Sequence, residues 1–427
     1  MNIPGTSKNS KNFRCKTNNT PRVVITGMGT INPLGLNVEE FWEGLVRGKL
    51  AIAPITRFDA SNFYVKVDAE VKGFDPTKYM DLKTVDRTPR AVHFAIAAAK
   101  EAIKSANLDM SKEVSERVGV SIACMVESAY IVKQSELINN RGPRRADPLF
   151  ISKSSPSVAS MQVGMLLRAR GPNSSVNSLC AAGADAIGTA MNFIRLGYAD
   201  VMIAGGADSS LSPVGIAGMD ILGALCRESD PAKACRPFDL NRNGFVYGEG
   251  AGIVVLESYE HAKRRGASTL AELAGVGWSF DAYDQTAPAP EAQAYAMKLA
   301  LDNAGVDLGE VDYINAHGTS TKLNDACETK AIKMVFSSHA YKIPISSTKS
   351  MIGHTVTAAG AIEAIASILT VNKGFIHPTI NYETLDADCD LDYVPNVARK
   401  ADVNTALSNS FGLGGENCCL VLKRFGE

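Results

Sequence analysis

Segments with strand composition alternate with segments of helical pattern along nearly the whole chain, and this alternation restricts the fold more than any other feature. Residues 22–26 (RVVIT) read as a short buried strand ending at Gly27-Met28-Gly29. Asn37, three residues before Glu40, supplies a capping signal for a helix over 38–48. The pattern predicts an alanine-rich helix at 90–107, a strand at 118–122, a helix at 156–169, a strand at 175–177 and a helix at 181–196. VMIA at 201–204 reads as a strand closed by Gly205-Gly206, and 252–256 as another. In the second half, helices are predicted at 290–305, 322–336 and 355–373, with Gly374 placed to end the last. Strands fall at 311–315, 343–346, 404–408 and 417–423. Such alternation implies α/β layers, with helices covering a largely parallel sheet.

One internal repeat is visible. Ala181-Ala182-Gly183-Ala184 opens one helix and Ala358-Ala359-Gly360-Ala361 opens another, each after a Ser/Thr-rich segment. With 427 residues the chain exceeds one small core, so two domains or one duplicated unit is the expectation. Hydrophobic residues at 45% and charged residues at 21% exclude a largely disordered chain. A net charge of -1 gives no general attraction to nucleic acid or to an anionic membrane. No apolar run reaches the roughly 18 residues of a membrane span. Residues 1–20 are polar and basic without acids; they read as a flexible leader, with a transit peptide as the alternative. The nine cysteines include no CxxC pair and no metal-ligand spacing, so reduced thiols in the cytoplasm and no metal are expected.

Chemistry concentrates in four segments. Cys180 lies in NSLCAAG, where a strand ends, the chain turns and a helix begins. A nucleophile exposed at such an elbow faces a helix N-terminus, whose dipole and free N–H groups favour a thiolate and can bind an oxyanion. His317, in NAHGTST, and His354, in KSMIGH, are two of only six histidines, and both stand at strand ends beside glycine and hydroxyl residues. One Cys with two His suffices for acyl transfer. Asp325 and Glu328 share one helical face, which is either an ordinary solvated face or one on which Glu328 forms a buried ion pair with Lys349 that tunes the histidines. The glycine-rich NSFGLGGEN at 409–417 has no Lys-Ser/Thr and no following helix, so it is not a phosphate loop; its glycines let backbone approach a reacting centre. Gly27-Met28-Gly29 mimics a dinucleotide fingerprint but has Asn32 where the third glycine belongs.

Together VVITGMG, NSLCAAG, RPFDLNRNGFVYGEGAG, NAHGTSTKLNDACE, SSTKSMIGH and NSFGLGGEN resemble, in order and spacing, the β-ketoacyl-acyl carrier protein synthases of the synthase II type, in the thiolase superfamily. The resemblance spans about residues 21–425. It implies a thiolase-like α/β fold: duplicated halves with five-stranded mixed sheets in a layered α-β-α-β-α arrangement, divided here as 21–268 and 269–427. It implies that Cys180 accepts an acyl group from acyl carrier protein. His317 and His354 would assist decarboxylation of malonyl carrier protein and stabilise the enolate, which attacks acyl-Cys180 to give a 3-ketoacyl product. Lys349 and Glu328 would organise the site, supported by Asp325 and Phe411. Backbone N–H groups of Cys180 and Leu413 would form the oxyanion hole, and Thr319 and Thr321 would hold the phosphopantetheine arm. No metal or bound organic cofactor is implied. The implied partners are acyl carrier protein and a second copy of the chain, or a homologous chain-length partner lacking the cysteine.

Three departures bear on the acyl group. Leu413 stands where synthase II members carry a gating phenylalanine, which implies easier admission of bulky or long primers. The usual GSGIGG-like segment is Ala123-Cys124-Met125-Val126-Glu127-Ser128, and Glu416 replaces a threonine. Val126, Leu413 and Gly412 are the expected channel and gate residues. These departures bear on chain length and pathway and not on the condensing chemistry: fatty-acid elongation is the first expectation, with a type II polyketide, polyene or other specialised ketosynthase as the alternative. Because carrier proteins are acidic, Lys78, Lys83, Arg87 and Arg90, clustered before the first long helix, are the candidate docking residues, against an ordinary solvated face.

Overall fold

The computed structural model describes residues 20–426. Apart from Thr20, the leader expected at 1–20 lies outside the described residues. The main sheet contains β1 (Val23–Ile31), β2 (Val118–Cys124), β3 (Asn173–Ser174), β4 (Val201–Asp208), β5 (Gly250–Ser258), β6 (Ala271–Phe280), β7 (Tyr313–Asn315), β8 (Ile345–Ser346), β9 (Thr405–Phe411) and β10 (Glu416–Lys423). Their spatial order is β1-β5-β4-β2-β3 in the first half and β6-β10-β9-β7-β8 in the second. In each half the first two pairings are antiparallel and the last two parallel. Five strands thus repeat as five strands with one topology. The two mixed sheets join edge to edge where Val24 pairs with Glu272 and Ile25 with Ala271.

Among the helices that pack on this frame are α1 (Val38–Val46), α2 (Arg90–Ser105), α3 (Ala182–Arg195), α4 (Pro290–Ala304), α5 (Lys322–Phe336) and α6 (Ala359–Lys373). As predicted, the Asn37 side chain caps α1 by accepting from the Glu40 N–H. The alanine face of α2 packs with Val118, Val120, Val201 and Ile253 as one outer core. Helices α4 and α5 pack with Ile314, Leu407 and Val421 as the other. Between them, α3 and α6 share a third core with Ile25, Met202, Val254 and Leu420. Helix α6 is buried on nearly every side, as a helix in a central layer must be.

The Ala-Ala-Gly-Ala repeat marks where α3 and α6 cross. A Cβ on Gly183 would sit 2.9 Å from Ala361 N, and one on Gly360 would sit 2.8 Å from Ala184 N. Each glycine makes room for the other helix, so a larger side chain at either position overpacks the crossing. The duplication reaches into the turn before each helix. Leu179 (φ +49°) and Val356 (φ +43°) occupy equivalent positions two residues before each repeat, and both adopt left-handed backbone.

The glycine pairs read as strand ends are strand interiors. Gly27 and Gly29 lie within β1, and Gly205 and Gly206 within β4. A Cβ on Gly27 would fall 2.2 Å from Ala102 O, and one on Gly29 2.1 Å from Ala98 O. These glycines let α2 lie directly on the sheet and do not break it. The strand expected at 175–177 is instead β3 at Asn173–Ser174, and β6 was not anticipated. Among the described residues, no helix is long and apolar enough to cross a membrane.

Candidate active site

Cys180 follows the left-handed Leu179 in a single 3₁₀ turn, Leu179–Ala181, ahead of α3. The turn lifts its thiol into a cavity of about 440 Å³, which Cys180 lines together with His317, His354, Phe411 and Leu413. The Leu413 N–H is the nearby donor that favours the ionised form of the thiol. Burial pushes the thiol up to about 11, while that N–H and the Lys349 charge pull it back. Burial thus works against the thiolate that the elbow and the helix N-terminus favour.

His317 follows β7. Its backbone N–H and that of Gly318 donate to the two Glu328 carboxylate oxygens at 2.9 and 2.8 Å. Asn409 donates to the same carboxylate at 3.1 Å, and burial raises Glu328 to about 7. Glu328 thus clamps the backbone of the histidine loop, and the expected Glu328–Lys349 ion pair does not form. The Lys349 ammonium instead pairs with Glu363 of α6, both buried, and donates to His317 Nδ1 at 3.3 Å. The backbone reason is plain: α5 presents Glu328 to the loop N–H groups, while α6 runs past the short Lys349–Ile352 helix and presents Glu363 to Nζ. Asp325, one turn before Glu328, accepts from Phe238 N at 2.8 Å and Ser320 N at 3.2 Å, so the two carboxylates of the helix face order backbone and do not face solvent.

His354 precedes the second strained turn, and its Nδ1 accepts from the Val356 N–H at 3.2 Å. Its ring lies edge-on to His317 at 5.3 Å and to Phe245 at 5.2 Å; Phe411 lies 5.9 Å from His317. These contacts fix both tautomers. An ammonium and a backbone N–H are donors only, so Nδ1 of each ring must carry the lone pair and Nε2 the proton. His354 Nε2 has no partner and is buried at the cavity wall. Burial and the Lys349 charge lower both imidazoles well below the usual range, with each ring kept neutral at neutral pH. The site therefore offers two neutral N–H donors beside one thiol: an arrangement suited to stabilising negative charge on an oxygen, and unsuited to a permanent imidazolium.

Thr319 and Thr321 line the same cavity, with hydroxyl oxygens 2.9 Å apart. Gly412 lines it as well. Val126 does not. Met125 packs against the apolar cluster of Ile216, Phe245, Tyr247 and Val356 that also holds Cys180. Met125 does not line the cavity either, so among these residues only its packing on that cluster relates the segment to the site. Lys78, Lys83 and Arg87 are exposed, whereas Arg90 is committed to an ion pair with Glu249 at 2.9 Å and is not a free docking charge. Sequence reasoning missed Glu363, though a lone carboxylate in the apolar run AGAIEAIASIL was a usable signal. It also missed Phe245, within a motif quoted only for its resemblance.

This fold and site are those of a condensing enzyme. Residues 20–262 match the family described as Beta-ketoacyl synthase, N-terminal domain, and residues 270–383 match Beta-ketoacyl synthase, C-terminal domain. The chain belongs to the β-ketoacyl synthase family. It is 46% identical to the 3-oxoacyl-[acyl-carrier-protein] synthase 2 of Coxiella burnetii, over 94% of this chain and 98% of that protein. The Synechocystis protein of the same name is 43% identical over 95% and 98%. Among solved structures, the ishigamide ketosynthase/chain length factor matches at 38% identity and TM-score 0.89, covering 96% of this chain and 100% of that one. A type II polyketide ketosynthase solved with its acyl carrier protein and bound to a hexaketide matches at 37% and 0.88, with the same coverage.

Proposed function

We propose that this protein catalyses the decarboxylative Claisen condensation of an acyl group on Cys180 with malonyl-acyl carrier protein, giving 3-ketoacyl-acyl carrier protein in fatty-acid elongation. The observation that carries the reading is the pair of imidazoles, 5.3 Å apart and each with its tautomer fixed from behind, lining the cavity that Cys180 also lines. In the first half-reaction the Cys180 sulfur attacks the acyl thioester, the N–H groups of Cys180 and Leu413 bind the oxyanion, and its collapse expels the carrier thiolate, which takes up the proton that the Cys180 thiol lost. In the second, malonyl thioester loses carbon dioxide, and the developing enolate oxygen accepts hydrogen bonds from His317 and His354. The enolate carbon then attacks the acyl-Cys180 carbonyl and the thiolate leaves. Thr319 and Thr321 hold the arm that carries each thioester. We place the boundary between the halves at 268/269.

Acyl carrier protein is the proposed partner, docking on a face that includes Lys78, Lys83 and Arg87. A homodimer is the proposed assembly, with a heterodimer beside a cysteine-free homologue as the alternative; the two polyketide-type structural neighbours favour keeping that second reading. The eight cysteines among the described residues are all free thiols, which supports a cytoplasmic setting. The test is reconstitution: with acyl and malonyl carrier thioesters, the protein is expected to release carbon dioxide and form the 3-ketoacyl product, and peptide mass spectrometry is expected to find the acyl group on Cys180. Acylation of another residue with Cys180 unmodified would sink the mechanism.

Met125 bears on the primer. It packs on the apolar cluster of Ile216, Phe245, Tyr247 and Val356 on which Cys180 also packs, and the proposal is that this cluster borders the acyl chain. Met125→Ala is expected to raise activity with long primers relative to short ones by about 10–100-fold, the usual worth of a few methylenes in an apolar pocket. An unchanged primer profile would show that the acyl chain runs elsewhere.

A further inference from the structure

Arg242 stands just before the cavity wall Asn243–Phe245 but does not line the cavity. Its side chain is only 3% exposed, and its donors are spent on backbone and carboxylate. Nε donates to Thr321 O at 3.2 Å and Nη2 to Lys322 O at 3.1 Å. Nη1 donates to Asp239 O at 2.9 Å and pairs with Asp386. Thr321 is also the N-cap of α5, so this cation sits at the positive end of a helix, where its charge is unfavourable. Asp325, 3.6 Å from Nε in the first turn of α5, and Asp386 offset that charge. What the guanidinium supplies there is geometry: a planar fork reaching two successive carbonyls, which a lysine cannot reproduce. The same junction is closed by Gly244 N donating to Ser320 O at 3.0 Å and Arg236 N to Ser320 Oγ at 3.0 Å. One wall of the cavity is thereby pinned to the segment carrying Thr319 and Thr321.

We propose that Arg242 is a positioning residue for the substrate arm: by holding the Thr321 and Lys322 carbonyls it fixes the Thr319–Thr321 hydroxyl pair against the Asn243–Phe245 wall, and so sets the depth at which a thioester reaches Cys180. This rests on the proposed function, because it needs a hydroxyl- and amide-bearing thioester arm as ligand. Arg242→Lys is expected to raise KM for malonyl- and acyl-pantetheine thioesters about tenfold, the worth of about one hydrogen bond to the arm, with kcat nearly unchanged. Alkylation of Cys180 by iodoacetamide, which uses no arm contact, is expected to keep its parental rate. Thr321→Val is expected to raise KM by a similar factor, and the double variant by no more than either alone. Asp386→Asn, altered on the side away from Thr321, is expected to leave KM as it is. A parental KM in Arg242→Lys, additive KM effects in the double variant, an Asp386→Asn KM rise equal to that of Arg242→Lys, or alkylation slowed in step with KM would each overturn the assignment. If the parental protein turns over no pantetheine thioester at all, it is the proposed function that fails. If Arg242→Lys does not fold, Arg242→Gln and the Thr321→Val and Asp386→Asn arms decide the matter by the same criteria.

Discussion

Cys180→Ala is expected to abolish condensation while malonyl carrier protein is still decarboxylated, within about tenfold of the parental rate. The two half-reactions use separable groups. Condensation needs the sulfur, since no other nucleophile among the cavity residues stands at the elbow. Decarboxylation needs donors to the enolate oxygen, and those are held without help from Cys180: His317 by Lys349, and His354 by the Val356 N–H. Removing Sγ leaves both contacts in place. His354→Ala should behave in the opposite way, slowing decarboxylation by about 10²–10³, the usual cost of one donor to a developing oxyanion. Carbon dioxide release and 3-ketoacyl formation, measured together on each variant, separate the cases. A folded Cys180→Ala protein that releases no carbon dioxide would mean that the thiol, not the imidazole pair, organises the malonyl group.

What the sequence shows of this site follows from the chemistry of each residue type. Cys180, His317 and His354 were legible because few residues can act as nucleophile or as neutral donor, and each stands in a turn near glycine; His317 follows a strand, whereas His354 follows the short Lys349–Ile352 helix and not a strand end. Their supports were less so. Glu328 and Lys349 are opposite charges in adjacent motifs, and pairing them was reasonable; the pairing failed because Glu328 faces two backbone N–H groups, which sequence does not display. Glu363 lies fourteen residues from Lys349, across a strained turn whose direction cannot be read from composition. Val126 and Met125 differ by one position, and beyond the end of β2 strand alternation no longer says which side chain packs on the neighbouring apolar cluster. At the level of fold, helices with uninterrupted patterns, such as α5 at Lys322–Phe336, were placed to the residue. Strand ends were misplaced where glycine served close packing and not a turn, as at Gly27 and Gly29.

Asp68→Asn is expected to make the protein more stable than its parent at pH 8 by about 4 kcal/mol more than at pH 5. Asp68 is 1% exposed, and neither carboxylate oxygen has a hydrogen-bond partner. The cations nearby are already spent: Arg57 and Arg90 on Glu249, and Lys72 on Glu70. Burial therefore pushes Asp68 from 3.8 up to about 8, with the charges of Glu70 and Glu249 adding to the rise and those of Lys72 and Arg57 opposing it. The folded chain keeps a proton that the unfolded chain surrenders above about pH 4. In that window the folded state binds more protons, so stability falls as pH rises, at about 1.4 kcal/mol per pH unit, until the folded group ionises near pH 8. Asparagine has nearly the same shape and no charge to bury, so its stability lacks this slope. Glu70 and Glu257, both lowered to about 2, act in the opposite sense, but their contribution is complete by about pH 5. His261, held between Glu257 and Glu113, is raised, so its contribution also fades with rising pH; it is common to both proteins and cancels in the difference. Urea unfolding of parent and variant at pH 5 and pH 8 measures that difference. Equal pH slopes would mean that Asp68 is ionised in the folded protein and holds a cation partner that its surroundings do not reveal.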